Sequence, residues 1–143
     1  MPEIEYAFLA DAAQVQPGQK FHVLGGGVSR VAGHTLPFVH PHLTLVLGLR
    51  MAPGERDNEH DLGFAVVAPD GTQVATASGK VVARGPAPGE DVVITIAVDL
   101  WNLNFRLAGE HVVRISVNGA ERKLLTLMVT QVAGPLPEQK YLA

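Results

Sequence analysis

The chain of 143 residues has no cysteine, and charged and aromatic residues are few, at 17% and 6%. Without cysteine there is neither a disulfide framework nor a thiolate for catalysis or metal binding. The same absence is typical of reducing compartments, so we expect a cytoplasmic protein. Because 47% of the residues are hydrophobic, the chain is not intrinsically disordered, and its length suits one domain with a full core.

Positively charged residues are also few: the chain has 11 Lys and Arg residues and 14 Asp and Glu residues, for a net charge of −3. Nucleic-acid-binding proteins usually carry a basic patch or stripe, and anionic membranes attract basic segments, so neither partner is expected. Apolar runs are far shorter than the roughly 18 residues of a transmembrane helix. The first residues, Met1–Glu5, lack the basic and apolar regions of a signal peptide.

Period-two alternation is the main signal that the sequence does contain. In Leu43–Arg50, leucine fills every odd position, and in Asp91–Leu100 the even positions carry Val, Ile and Leu. This period places each apolar set on one face of a β-strand. His111–Val117 alternates in the same way, and the Asn118-Gly119 pair that follows predicts a tight hairpin turn into a return strand over Arg122–Val132.

Weaker alternation predicts further strands near residues 4–10, 20–24, 62–66 and 73–84, and loops at residues 31–41, 52–61 and 85–90. The segment Asp99–Ala108 does not alternate, and we expect it to cross between two sheets. About eight strands at this spacing predict an all-β fold, an antiparallel β-sandwich that is immunoglobulin-like or jelly-roll-like, with Greek-key-like connections. Residues 1–132 form its single domain, and residues 133–143 form a proline-containing C-terminal tail.

Two histidines flank a proline in His40-Pro41-His42, a spacing that places both imidazoles on one face of an extended chain. Such a pair can bind a metal, with His34 or His60 from flanking loops. However, the leucine parity puts the pair on the solvent side, and no acidic residue lies between positions 35 and 54. We therefore predict no metal and no other cofactor, and keep His40 and His42 only as weak candidate ligands.

Nucleophilic catalysis also finds no support, because no serine stands in a Gly-x-Ser-x-Gly turn. We predict no catalytic residues and a protein that is not an enzyme.

Two regions are candidates for ligand binding. Gly25, Gly26 and Gly27 end a predicted strand, where a strip without side chains forms a bulge or admits a ligand or a partner strand. Trp101 is the single tryptophan and is followed by polar residues at positions 102, 104 and 106. If Trp101 is exposed, it can stack on a sugar or anchor an interface; if it is buried, which we expect, it fills the core. The second candidate site consists of Trp101, Asn102, Asn104 and Arg106.

Several apolar residues occupy predicted outward positions, where a solvated sheet would carry polar side chains. In the first strand, for example, the alternation places Ile4, Tyr6 and Phe8 inward and Leu9 outward. We expect a second copy of the chain to cover such residues, most simply in a two-fold dimer. The candidate interface residues are Leu9, Val46, Val112, Leu124 and Met128.

The stretches Phe8–Val15, Gly18–Gly27 and Pro37–Pro41 resemble an uncharacterised family of small bacterial proteins, many of them actinobacterial. The hairpin from Gly109 to Gly119 also matches this family. It is similar to closing hairpins of immunoglobulin-like bacterial domains, in which an aromatic residue usually stands at the place of His111. The resemblance covers most of the chain and implies a soluble bacterial β-sandwich, with no catalytic residues and no indication of a substrate.

Three hypotheses for the function follow. The first is a non-enzymatic interaction or scaffold module that self-associates or binds another protein. The second is a small-ligand or carbohydrate-binding module that uses Trp101, and the third, less favoured, is a metalloenzyme that uses His40 and His42.

Overall fold

The computed structural model describes residues 2–16, 20–83 and 89–134, and these residues form an all-β fold. Apart from one short 3₁₀ turn at Pro53–Glu55, the described residues contain no helix, and so none that could cross a membrane. Nine strands are present: β1 Glu3–Val15, β2 Phe21–Gly26, β3 Arg30–Gly33, β4 Phe38–Met51, β5 His60–Val67, β6 Gln73–Val81, β7 Val92–Phe105, β8 Gly109–Val117 and β9 Ala120–Gln131.

The strands form two sheets. Sheet A has the order β2-β1-β4-β7, and sheet B has the order β3-β9-β8-β5-β6. All neighbours are antiparallel except β3, which pairs in parallel with β9. Both sheets contribute to one hydrophobic cluster, which places the core between them.

The leucine ladder of β4 lies at the centre of this core, as its alternation predicts. Leu43 is 1% exposed, and Leu45, Leu47 and Leu49 have no exposed surface. Facing residues of sheet B, including Ile115, belong to the same cluster. Burial of a leucine contributes roughly 1.5–3 kcal/mol, so this ladder is a large part of what holds the sheets together.

The predicted hairpin between β8 and β9 is also confirmed. Asn118 and Gly119 both have positive φ, at 50° and 82°, which is the conformation that a two-residue type I′ turn requires. The Asn118 side chain also accepts a hydrogen bond from the Asp61 backbone N–H at 2.9 Å and contacts His60 Nδ1 at 3.1 Å. The turn is thereby fixed to the start of β5.

Two expectations about connections are wrong. Residues 31–41 are not a single loop, because β3 and the start of β4 lie within them. The segment Asp99–Ala108 does not cross between sheets over its length, because β7 continues in sheet A as far as Phe105. In β7 the alternation of inward and outward side chains is interrupted at Asn102, which has a φ of 51°. The chain passes to the other sheet only after Phe105.

Leu9 was expected to point outward, and this is wrong, since it is 2% exposed and belongs to the core. Ile4 pairs with Leu49, whereas Tyr6 pairs with Gly48, so β1 contains one extra residue between Ile4 and Tyr6. A shift of one residue exchanges the two faces of a strand. Beyond it, Leu9 faces the core and Tyr6 lies on the outer face of sheet A.

The outer face of sheet A is partly covered by its own chain. Phe21 pairs with Val15, yet its ring stacks on Tyr6 at 5.8 Å. Tyr6 and Val15 are nine positions apart, which would be about 30 Å in a straight strand. β1 therefore bends, and its C-terminal half returns with β2 over this face. Val46 lies there without exposed surface, so its predicted contact with a second copy is wrong.

Candidate functional site

The candidate site lies on the outer face of sheet A, where β4 and β7 pair. His42 is the register partner of Trp101, and Thr44 is the partner of Asp99. Because directly opposite residues of antiparallel strands share a face, these four side chains form one group. We call His42, Thr44, Asp99 and Trp101 the Trp101 site.

Stacking and hydrogen bonds hold this group in place. The rings of His42 and Trp101 stack with their centroids 4.1 Å apart and their planes at 27°. His42 Nε2 lies 2.8 Å from Asp99 Oδ1, and the Thr44 hydroxyl donates to the same oxygen at 3.0 Å. An ionised carboxylate only accepts hydrogen bonds, so His42 Nε2 carries a proton and donates it.

Asp99 keeps one oxygen available. Both hydrogen bonds go to Oδ1, while the Asp99 side chain is 50% exposed. Oδ2 can therefore accept hydrogen bonds from a bound group. Thr44, in contrast, is fully buried, so it supports the carboxylate and does not reach solvent.

Trp101 is 65% exposed, and the expectation that it is buried is wrong. It alternates with Leu100, which faces the core at 6% exposure. The tryptophan therefore lies on the outer side of β7, at the margin of sheet A. One ring face is covered by His42 of β4, and the opposite face is turned toward the free edge of the sheet.

The edge of β7 is the longest free strand edge among the described residues. β7 has 14 residues and pairs only with β4, and no backbone hydrogen bond of the described residues reaches its other side. Its sequence has no proline or lysine, and Asp99 is its single charge. Proteins normally protect such edges with charge, proline, bulges or shortness.

The other strand edges are protected. β3 has four residues, and β2 has six and ends in glycines. β6 carries Lys80 and the exposed polar residues Thr76 and Ser78. β7 therefore differs from the other edges in both length and chemistry.

The remaining residues of the predicted Trp101 group lie along the end of β7. Asn102 and Asn104 are exposed within the strand, and Arg106 is exposed just after it. Their side chains form no hydrogen bond with other described residues. These three residues follow Trp101 closely in the chain, but they take no part in the hydrogen bond between His42 and Asp99.

The glycine strip lies at the opposite edge of sheet A. Gly26 pairs with Ala10, Ala10 with Thr44, and Thr44 with Asp99, so β1 and β4 lie between the strip and β7 in the order of sheet A. Gly25 has a φ of 60°, and a Cβ there would meet the Asp11 carboxylate at 2.1 Å. The absence of a side chain at Gly25 thus makes room for the Asp11 carboxylate, and binding of a ligand or a partner strand at the strip stays a prediction.

His42, one of the two weak metal-ligand candidates, contacts Asp99 and Trp101. No group of three or more His, Asp or Glu side chains converges within residues 2–16, 20–83 and 89–134. His40 is partly buried, and this burial lowers its pKa, although a hydrogen bond with the His42 backbone and the charge of Asp11 act in the opposite direction.

The other predicted interface residues lie on the outer face of sheet B. Leu124 is 51% exposed, and Val112 and Met128 are partly exposed. Each has a polar partner across the β8–β9 pair: Arg114 faces Leu124, Thr126 faces Val112 and Glu110 faces Met128. Leu124 and Met128 lie diagonally opposite Val112, and the role of the three residues in an interface stays a prediction.

Sequence reasoning did not place His42, Thr44 and Asp99 beside Trp101. A usable signal was present, since the same alternation that places Thr95, Ala97 and Asp99 on the outward face also places Trp101 there. The partners on β4 could not be found without the β4–β7 register.

Comparisons with known proteins give a family and two distant structural likenesses, and no curated protein matches the chain. An alkylpurine DNA glycosylase from Pseudomonas fluorescens, solved with DNA containing an abasic-site analogue, matches 90% of this chain at 14% identity and a TM-score of 0.49. The chain spans only 30% of that protein.

An immunoglobulin-like protein from Pseudomonas aeruginosa matches 90% of this chain and 96% of its own at 12% identity and a TM-score of 0.40. At these values neither likeness carries an argument about function. A family model matches residues 5–130, which is most of the chain. The chain therefore belongs to the family of unknown function DUF6941.

Proposed function

We propose that this chain is a non-enzymatic interaction module whose binding surface is the free edge of β7 together with Trp101. The observation that carries the proposal is that a 65% exposed tryptophan, stacked on His42, lies on a 14-residue strand edge that has no proline or lysine and only one charged residue, Asp99. We further propose that the two sheets pack as an immunoglobulin-like β-sandwich, which presents this edge in the cytoplasm.

The chemistry of the surface suits a protein partner. An exposed strand edge offers a row of unpaired N–H and C=O groups, to which an extended segment adds by main-chain hydrogen bonding. Trp101 supplies an anchor, and tryptophan is enriched among the residues that dominate interface energies. Because the stack on His42 already restricts the ring, little side-chain entropy remains to be lost on binding.

The experiment compares Trp101→Ser with Leu124→Ser in affinity capture from the native cell, with captured proteins identified by mass spectrometry. Leu124 is a matched control, because it is 51% exposed but lies on sheet B. We expect Trp101→Ser to lose the specifically captured protein and Leu124→Ser to retain it. Capture that is unchanged in Trp101→Ser and lost in Leu124→Ser would place the surface on sheet B and overturn the proposal.

A carbohydrate is a second candidate ligand, favoured by the free Oδ2 of Asp99 beside the open face of Trp101. Sugars stack their C–H faces on tryptophan and donate hydroxyl protons to carboxylates. Titration of the single tryptophan's fluorescence with an oligosaccharide panel tests this candidate. A saturable change that Asp99→Asn weakens supports it, and an unchanged spectrum across the panel removes it.

A further inference from the structure

We propose that the partner is a second copy of this chain, which pairs antiparallel along β7 around a two-fold axis through Ala97. This inference rests on the proposed role of β7 as the binding surface and adds the identity and register of the partner. The pairing joins the two copies of sheet A, each of four strands, into one continuous sheet, with both outer faces on the same side.

The alternation of β7 restricts the possible registers. Odd-numbered residues from Val93 to Trp101 lie on the outer face, and even-numbered residues from Val92 to Leu100 face the core side. Opposite residues in a sheet share a face, so an odd residue of one copy must pair with an odd residue of the other. The regular stretch ends at Asn102, where φ is 51°. Ala97 is the midpoint of residues 92–102, so full overlap of this stretch centres the axis on it.

This register also pairs the exposed hydrophobic side chains of the strand. Val93 and Trp101 are 42% and 65% exposed. With the axis at Ala97, Val93 of each copy lies opposite Trp101 of the other and covers the ring face that His42 leaves open. Both exposed apolar groups of the edge are thereby buried against each other, at both ends of the pairing.

Charge supports the same register. Asp99 is the single charged residue of β7, and with the axis at Ala97 it lies opposite the hydroxyl-bearing Thr95 of the other copy. An axis at Asp99 would place the two carboxylates directly opposite each other, and an axis at Thr95 would bring Asp99 opposite Asp91. Like charges directly opposite each other destabilise a sheet.

Because the chain has no native cysteine, single-cysteine variants test this register directly. Directly opposite Cα atoms in an antiparallel pair are about 4.5–5.5 Å apart, within the range that a disulfide spans. Ala97→Cys should therefore form a covalent dimer under mild oxidation, about tenfold faster than Thr95→Cys or Asp99→Cys, whose cysteines lie too far from their own copies. Ser78→Cys on the exposed β6 edge is the control for random collision.

Sedimentation of the cysteine-free chain provides the second measurement. We expect a species of twice 15.2 kDa at micromolar concentration. Val93→Glu should raise the dimer dissociation constant by about tenfold or more, because it places a carboxylate against the electron-rich face of the Trp101 ring. Leu124→Glu should leave the dissociation constant unchanged.

The outcomes separate this inference from the proposed function. A 15.2 kDa monomer, together with Ala97→Cys that reacts no faster than Ser78→Cys, overturns the second copy as partner. If Trp101→Ser still loses a captured protein in that case, the proposed function stands with a different partner. Faster cross-linking of Thr95→Cys or Asp99→Cys would overturn the register, and a fluorescence response to oligosaccharides by a monomer would assign the surface to a sugar.

Discussion

Gly48 lies directly beneath the ring of Tyr6 on the outer face of sheet A. A Cβ atom added to Gly48 would come within 2.4 Å of the tyrosine ring carbons, closer than any normal contact. The two residues are register partners in the β1–β4 pair, and the Tyr6 hydroxyl contacts the Thr95 hydroxyl on β7. The missing side chain of β4 therefore lets a residue of β1 reach across to β7.

We expect Gly48→Ala to lower the free energy of unfolding by about 1–3 kcal/mol, because the added methyl group displaces the Tyr6 ring. Urea denaturation followed by circular dichroism measures this loss. Gly79→Ala is the control, since a Cβ at Gly79 on β6 meets nothing within 4 Å, and there we expect no loss. Equal stability of Gly48→Ala and the wild type would contradict the close approach.

His111 is fully buried with one ring nitrogen satisfied and one not. Nδ1 lies 3.1 Å from the Gly109 carbonyl and donates to it, whereas Nε2 has no partner among the described residues, and the ring packs edge-on against Phe105 at 5.2 Å. An unpaired buried acceptor costs about 1–3 kcal/mol. We therefore expect the free energy of unfolding of His111→Phe to lie within about 1.5 kcal/mol of the wild-type value, because removal of the unpaired acceptor offsets the cost of packing a larger ring.

His111→Ala provides the comparison, because it leaves a cavity against Phe105. Its expected loss is about 2–4 kcal/mol by the same denaturation assay. If His111→Phe proves as unstable as His111→Ala, the imidazole is required for more than filling space.

Glu5 and Arg50 form a two-bond ion pair across the β1–β4 register, with both N–O distances at 2.7 Å. The hydrogen bonds from Arg50 lower the pKa of Glu5 below its usual 4.5. A lowered carboxyl pKa stabilises the fold above the unfolded value and loses that contribution as the pH falls through the folded value. We expect Glu5→Gln to be less stable than the wild type at neutral pH and equally stable at strongly acidic pH.

Denaturation across this range, at low and high salt, measures the contribution, which salt should reduce because both groups are exposed. Glu59→Gln is the control. The N–O distance between Lys80 and Glu59 is longer, at 3.6 Å, and both side chains are about two-thirds exposed, so this substitution should change stability little. A difference between Glu5→Gln and the wild type that persists at strongly acidic pH would mean that the charge of Glu5 is not its cause.

His40 should make the fold sensitive to mild acid. Burial lowers its pKa from the usual 6.5, so the folded protein favours the neutral ring, whereas the unfolded chain takes up a proton near pH 6.5. The unfolded state then binds more protons, and stability falls as the pH drops below that value. His40→Gln should show a smaller loss of stability between about pH 7.5 and about pH 5 than the wild type.

His34→Gln removes an exposed imidazole from a neighbouring loop and serves as the control for this measurement. The expectation fails if His40→Gln follows the same pH profile as the wild type.

The strong alternation was sufficient to predict residues 43–50 of β4, residues 92–98 of β7 and residues 111–117 of β8 as strands, together with the face that each one buries. Leu9 was assigned to the wrong face because a single inserted residue before Tyr6 exchanges the faces of β1, and a bulge has no distinct sequence signal here. β3 was missed because a strand of four residues that pairs in parallel with a distant strand leaves too short a pattern.

The Trp101 site could be predicted only in part. Alternation alone was able to assign Trp101 to the outer face, but its exposure depends on β7 being the last strand of sheet A. That order is a property of the assembled fold. The contact of His42 with Asp99 likewise depends on a register between residues 57 positions apart.

β7 combines two roles, because Leu100 and its even-numbered neighbours line the core while the opposite margin of the strand stays open. A molecule bound along this free edge of β7 also restricts the core side chains of the same strand. Association and folding are therefore thermodynamically linked. If that molecule is a second copy, as we propose, mass action raises the thermal midpoint of the wild-type chain as its own concentration increases. In cells, the abundance of the protein would in this way contribute to its persistence.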